Sequence, residues 1–456
     1  MIEHPLLFWA LIVDILVWVA VAHAIAVTKK NTLHIGVIFS GLFILSYPLK
    51  FLASFFGFSV MNPLVLSEEW LWLSFLIFNI SGVMFLIPML IVKKNVANTK
   101  SHKVREIQIK KNFIWPLLFF ALIIIGVSYG MRAIDAVFSF STEIMHSRIA
   151  ERADERLGSG PLVLLRTIGE VMLALSLFRL AELWLRYKKI HRILVIILIL
   201  LICLFLLVVS GSKHQGLMPL CYFIIFLNIK MVTSGLNVWS FSTVSMAGLI
   251  GLMLVGIFGV VRGLGGAEEI PFSDLAFQVF IQLSNAFDAP DNLSFILSRV
   301  ENIWFGDLYF EPTIQYIVGT IPRFLWPDKP VIMGNLFIQE IYLYERFTDE
   351  MGEVISPSMP GEMIVSGGII FMSFWSLILG LFYAFHTKYA YQSNNWVWKI
   401  LYAFLVINVF NILRSGTGFL AAYILFSFAV FIIWLVLKLA NGMFIKNKRR
   451  AMHTIY

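Results

Sequence analysis

Five cations occupy positions where an apolar chain would be expected to avoid charge: Arg166, Lys213, Arg262, Arg323 and Arg414. A cation at the centre of a membrane helix costs about 2.5–3.5 kcal/mol on insertion scales. Arg166 lies two turns inside an apolar block, with Glu170 one turn deeper on the same face. Lys213 ends a block in "VVSGSKHQG", Arg262 in "GVVRGLGG" and Arg414 in "NILRSGTG". Arg323 belongs to "IPRFLWPDKP", ten residues that also hold Lys329, Trp326 and three prolines. Singly, each has a plain explanation, because a long cation near a helix end reaches water. As a set they are what a diphosphate needs, since the guanidinium fork matches phosphate oxygens. Glycines beside them (Gly211, Gly263, Gly265, Gly266, Gly416) would let backbone N–H groups approach the same anion.

Two residues are placed to move a proton. Glu362 lies in "SPSMPGEMIVSGG" and is the first candidate base; His214 is the second. The alternative for Glu362 is a polar residue at a helix start, where the dipole favours a carboxylate. Arg166 and Glu170 also read as a simple buried ion pair. Trp304, Trp326 and Tyr316 are candidates for stacking on sugar rings, against the alternative of core packing. Asp288 and Asp291 flank Pro290 and read as turn and capping residues, with Asp291 the expected N-cap. Asp14, inside the first apolar block, has no evident partner. Cys203 and Cys221 read as small core residues, and no HExxH, CxxC or His-rich cluster suggests a metal or cofactor.

The elements that must position these groups are membrane helices. The 456 residues are 59% hydrophobic and only 14% charged, with mean hydropathy +0.85, against about 25% charge in soluble domains. Apolar blocks near 20 residues recur, and backbone in lipid must bond within itself, so the expected fold is all-α and polytopic. Eleven spans are expected, near 5–27, 33–57, 70–92, 112–131, 160–183, 193–210, 215–234, 243–262, 363–386, 398–414 and 418–440. The first reads as a retained span, for it lacks a basic leader and a cleavage site. "KKN", "KKNVANTKSHKVREIQIKK", "RYKKIHR" and "KNKRR" fall on one side if the N-terminus is outside and the C-terminus inside. The net charge of +8 is therefore read as a topology signal, with no nucleic-acid partner.

Three regions follow: spans one to eight in 1–262, a large outer loop in 263–362, and spans nine to eleven with a basic tail in 363–456. The outer loop holds fifteen Asp/Glu against four Lys/Arg, and sixteen aromatics. "PFSDLAFQVFIQLSNAF" and "DNLSFILSRVENIW" have helical apolar spacing. So many apolar residues predict a loop folded back onto the membrane domain. A second outer segment, 132–159, carries Arg148, Arg152 and Arg156 interleaved with Glu151 and Glu155, the pattern of a solvated helix.

"IPRFLWPDKP", "SPSMPGEMIVSGG" some thirty residues later, and "SGSK" closing a middle span together resemble the Wzy-type oligosaccharide repeat-unit polymerases of bacteria. The wording is confined to residues 210–214 and 321–368, and the architecture extends over the whole chain. The resemblance implies metal-independent transfer of a growing glycan from undecaprenyl diphosphate to an incoming lipid-linked repeat unit. It implies the outer face of the bacterial inner membrane, membrane lipids as surroundings, and a polysaccharide chain-length regulator as a candidate partner. The related O-antigen ligases carry a histidine in the large loop, and residues 263–362 contain none. A flippase for lipid-linked sugars would place its charges along a central path instead of one rim. A polyprenyl-phosphate-sugar transferase, using acids such as Glu68 and Glu69, is the remaining enzyme alternative.

Overall fold

The computed structural model describes residues 4–57, 64, 66–92, 113–129, 160–210, 213–235, 289–310, 314, 357–415 and 418–453. Among these residues every regular element is helical. In chain order they are α1 Pro5–Lys29, α2 Ile35–Ser46, α3 Pro48–Ser54, α4 Glu68–Ile91, α5 Ile114–Ser128, α6 Gly160–Trp184 and α7 Lys189–Ser210. There follow α8 Lys213–Thr233, α9 Ala289–Leu297, α10 Met359–Gln392, α11 Trp396–Ile407, α12 Val409–Ser415 and α13 Gly418–His453. Among the described residues seven helical segments are long and apolar enough to cross a membrane: Pro5–Lys29, Ile35–Ser54, Glu68–Ile91, Lys189–Leu207, His214–Thr233, Met359–Gln392 and Phe419–Leu439. The α6 helix occupies the fifth expected span but carries Arg166, Glu170, Arg179 and Glu182. The eighth expected span, 243–262, lies outside the described residues.

Several expected spans are broken, each for a local reason. The second divides at Tyr47 because Pro48 has no N–H and disfavours helical backbone at the residue before it. The tenth divides at Asn408, whose Nδ2 donates to Phe404 O at 2.8 Å. The ninth starts at Met359, earlier than expected, and is interrupted at Gly367 and Gly368. Asp291 lies within the described helix α9, Ala289–Leu297, and is not an N-cap.

Packing uses aromatic rings and small residues. Phe39 stacks on Phe85 with ring centroids 4.1 Å apart, and Tyr47 on Phe78 at 4.2 Å. A Cβ on Gly380 of α10 would lie 2.2 Å from Phe85 O of α4, so these two backbones nearly touch. Close approach at small residues is how membrane helices gain dispersion contacts when lipid offers no hydrophobic drive. The outer surface of α7 leaves Ile193, Leu194, Ile197, Leu200, Leu201 and Leu204 exposed, as a lipid-facing helix does. Asp14 has a partner after all: Asn79 Nδ2 of α4 donates to its carboxylate at 3.4 Å, while Asn79 Oδ1 accepts from Trp18 Nε1 at 2.9 Å.

Candidate functional site

Side-chain bonds fix which helix ends share a side. Asn31, after α1, donates to Tyr391 OH of α10 at 2.9 Å, and Asn228 of α8 donates to Asn31 Oδ1 at 3.0 Å. Lys29 Nζ donates to Val92 O beyond α4 at 2.9 Å, and Lys230 of α8 pairs with Glu182 of α6 at 3.5 Å. The C-terminal ends of α1, α4, α6, α8 and α10 therefore lie together. Their partners at the N-termini, with Arg166, Lys213, His214 and Glu362, lie at the opposite end of the bundle.

At that end the chain assembles a buried polar junction. Ser358, at φ +69°, caps α10: its Oγ accepts from Gly361 N at 3.1 Å. Ser358 N donates to Arg414 O at 3.0 Å, and Glu362 N donates to Ser358 O at 3.1 Å. One backbone bond, from Ser358 N, thus ties the last turn of α12, which carries Arg414, to the cap of α10, and Glu362 lies one turn into that helix. Glu362 is fully buried, as are Ser358, Ser366, Asn292 and Ser294. A carboxylate this deep must be paired, hydrogen-bonded or protonated. The helix N-terminus contributes a partial positive charge there. Helix α9, which supplies Asn292 and Ser294, packs against α3, α4, α10 and α12. The 289–297 helix is thus part of the helical bundle.

The break in α10 shapes the junction. Gly367 and Gly368 leave the helical conformation, Gly368 at φ +75°. Carbonyls orphaned by a break must find other donors. Val365 O accepts from Asp307 N and Leu308 N, both at 3.0 Å, and Ser366 O accepts from Phe310 N at 2.7 Å. Beyond the break Ile369 N donates to Ile303 O at 3.0 Å. The 303–310 loop thus replaces the missing helical bonds and holds Met359–Ser366 as a separate short helix.

The other sequence candidates are less concentrated. Arg166 Nε is 3.7 Å from Glu170, and its guanidinium lies 5.7 Å from the Tyr129 ring centroid. Tyr129 OH in turn donates to Gln215 Oε1 of α8. Arg166 therefore shares this sub-cluster with Glu170 and Tyr129. Lys213 is the first residue of α8, and His214 beside it is exposed. Trp304 is exposed on the loop that braces α10. Arg262, Arg323, Trp326 and Tyr316, together with the 132–159 segment, lie outside the described residues. Lys50 is the cation that sequence reasoning missed. It is 3% exposed on α3, which packs against α9. Its signal was a lysine after Pro48 in an otherwise uncharged span.

The opposite end has a different character. A cleft of about 540 Å³, open mouth included, is lined by Lys29, Asn31, His34, Thr387, Lys388 and Tyr391 among others. Four of the helices meeting there, α1, α4, α8 and α10, present C-termini, whose negative dipole ends lysines complement. Lys29 does so directly, bonding Leu90 O and Val92 O at the end of α4.

Fold and site together define a polytopic helical membrane protein with a buried polar junction at one end of its bundle. No protein-family model matches the chain, and no solved structure matches it. Among the described residues no three His, Cys, Asp or Glu side chains are grouped to hold a metal ion. Cys203 and Cys221 are free.

Proposed function

We propose that this chain is a membrane glycosyltransferase that polymerises undecaprenyl-diphosphate-linked oligosaccharide repeat units, in the manner of the Wzy-type polymerases it resembles. On this reading it has eleven spans, a periplasmic loop at 263–362 and a cytoplasmic tail in the bacterial inner membrane. The observation that carries the reading is the junction of "SPSMPGEM" with "NILRSG", where Ser358 N bonds Arg414 O beside fully buried Glu362. Two motifs distant in sequence, one acidic and one cationic, meet at the end where Arg166, Lys213 and His214 also lie.

The chemistry assigned to these groups is as follows. The bond between the donor sugar's anomeric carbon and the diphosphate breaks, and its electron pair leaves with undecaprenyl diphosphate. Arg414, Arg323, Arg262, Lys213 and Arg166 stabilise that growing charge, and buried Lys50 is added to the set. Such fixed charges contribute several kcal/mol in a partly dry site. The acceptor hydroxyl oxygen bonds the anomeric carbon as its proton passes to Glu362, with His214 the alternative base. A positioned base gives about 10²–10⁴-fold. Trp326 and Tyr316 are assigned to sugar stacking, with Trp304 as a third candidate.

Arg323→Ala and Arg414→Ala are expected to abolish glycan polymerisation in cells while the protein still inserts and accumulates. Wild-type chain lengths in both variants would remove the phosphate clamp. Glu362→Gln separates a base from a structural carboxyl: turnover should fall about 10²-fold or more, and unchanged turnover would assign Glu362 to capping alone.

A further inference from the structure

The loop that braces α10 exposes four aromatic side chains in seven residues: Trp304 at 59%, Phe305 at 66%, Tyr309 at 80% and Phe310 at 45%. A loop in water has no reason to present such a surface. This loop is also held firmly. Asp307 accepts from Glu301 N and Asn302 N at 3.2 and 2.9 Å, and Asn302 Oδ1 accepts from Phe305 N at 3.1 Å. The bonds to Val365 O and Ser366 O fix its far side. Tyr309 and Phe310 sit at φ +43° and +67°, a left-handed conformation that bulky residues adopt only when their surroundings enforce it. The strain is spent on holding two rings at the surface.

The depth of the loop follows from the helix it grips. Beyond the break, α10 runs from Ile369 to Gln392, a length of about 36 Å at 1.5 Å per residue. The hydrocarbon core is about 30 Å thick. That length alone spans the membrane, so the break at Gly367 and Gly368 lies at its boundary, and the loop bonded to residues 365–369 lies at the same level. Its surface is continuous with the lipid-facing side of α10, where Ile370 and Phe374 are exposed. Phe310 meets Phe371 edge-on at 4.7 Å, and Phe371 stacks on Trp375 at 5.8 Å.

We infer that residues 304–310 form an interfacial membrane anchor, whose aromatic side chains seat in the headgroup and upper acyl region of the leaflet beside the broken end of α10. Aromatic residues with a polar tip concentrate at that level in membrane proteins. The bilayer is the occupant the geometry selects, because the patch continues an existing lipid-facing surface and carries no charge of its own beyond the Asp307 carboxylate turned inward to bond Glu301 N and Asn302 N. Trp304, a sugar-stacking candidate by sequence, belongs on this inference to the lipid contact. The inference does not depend on the proposed glycosyl transfer. It places Glu362, about one and a half turns before the break, near headgroup depth whatever its role.

The test uses the full-length chain with Cys203 and Cys221 replaced by alanine, reconstituted in phosphatidylcholine vesicles. Single cysteines replace Phe305, Tyr309, Phe374 and Glu301 in turn and carry a bimane label. All four sites are exposed, so the label does not disturb a core. The expected result is that vesicles of brominated phosphatidylcholine quench Phe305→Cys and Tyr309→Cys as they quench Phe374→Cys, while aqueous iodide does not. Quenching of both by iodide and by no brominated lipid, as for a water-exposed Glu301→Cys, would overturn the anchor. Protection from both quenchers would overturn it too, by showing that protein covers the patch.

Discussion

Replacing Gly368 by alanine would test whether the break in α10 is a rigid, braced feature. The residue stands at φ +75° and ψ −173°, a conformation left almost entirely to glycine, which costs other residues about 1–3 kcal/mol. A Cβ at this position would fall 2.0 Å from Trp304 O, 2.1 Å from its carbonyl carbon and 2.4 Å from Phe305 N. Those are backbone atoms and cannot rotate aside. Forced overpacking adds about 1–3 kcal/mol. The two terms together give a loss of about 2–6 kcal/mol, a large share of a typical stability of about 5–15 kcal/mol. Gly367→Ala should cost less, because its φ of −161° is open to any residue and its Cβ meets side-chain atoms of Phe310 and Phe371 and no backbone. Gly41→Ala is the control: nothing lies within 4 Å of its Cβ, and alanine inside α2 should gain about 0.5–1 kcal/mol. The assay is thermal unfolding of the three purified variants in one detergent. The order expected is Gly368→Ala lowest, then Gly367→Ala, with Gly41→Ala at or above wild type. A Gly368→Ala protein melting with the wild type would refute the bracing argument.

Asn79→Leu removes the donor to Asp14 and the acceptor of Trp18, and should destabilise by about 1–3 kcal/mol, the cost of stranding buried polar groups. Adding Asp14→Leu to it should recover part of the loss, read as non-additive melting shifts. Asn228→Ala should likewise cost about 1–3 kcal/mol, since Asn31 Oδ1 and Tyr391 OH lose a shared donor between helix ends. Denaturant unfolding of the single variants checks it.

How much of this was legible depends on the length of the signal. Apolar blocks of twenty residues announce helices, and the observed helices fall where those blocks lie. Their interruptions are written in one or two residues. Pro48 marks the break in the second span and the paired Gly367 and Gly368 mark that in the ninth, but both were read through as continuous helix. The α6 helix shows the converse. Arg166 with Glu170, and Arg179 with Glu182, pair within one turn, and a helix too charged by count still packs in the bundle. Glu362 could be singled out because it stands where the expected outer loop leads into the ninth expected span. The backbone bond from Ser358 to Arg414 could not, since it joins residues 56 apart by a contact that no side-chain type encodes. Lys50 was not legible as a buried cation, because the type of one lysine in an apolar block does not say which way its side chain faces; on α3 it is 3% exposed.

The most direct measurement is incubation of the purified chain with undecaprenyl-diphosphate-linked repeat units in the presence of a chelator, with the products separated by size. A ladder of longer lipid-linked glycans, lost in Arg414→Ala, is the result this account predicts. Units that remain single, or that cross vesicle membranes without being joined, would contradict it.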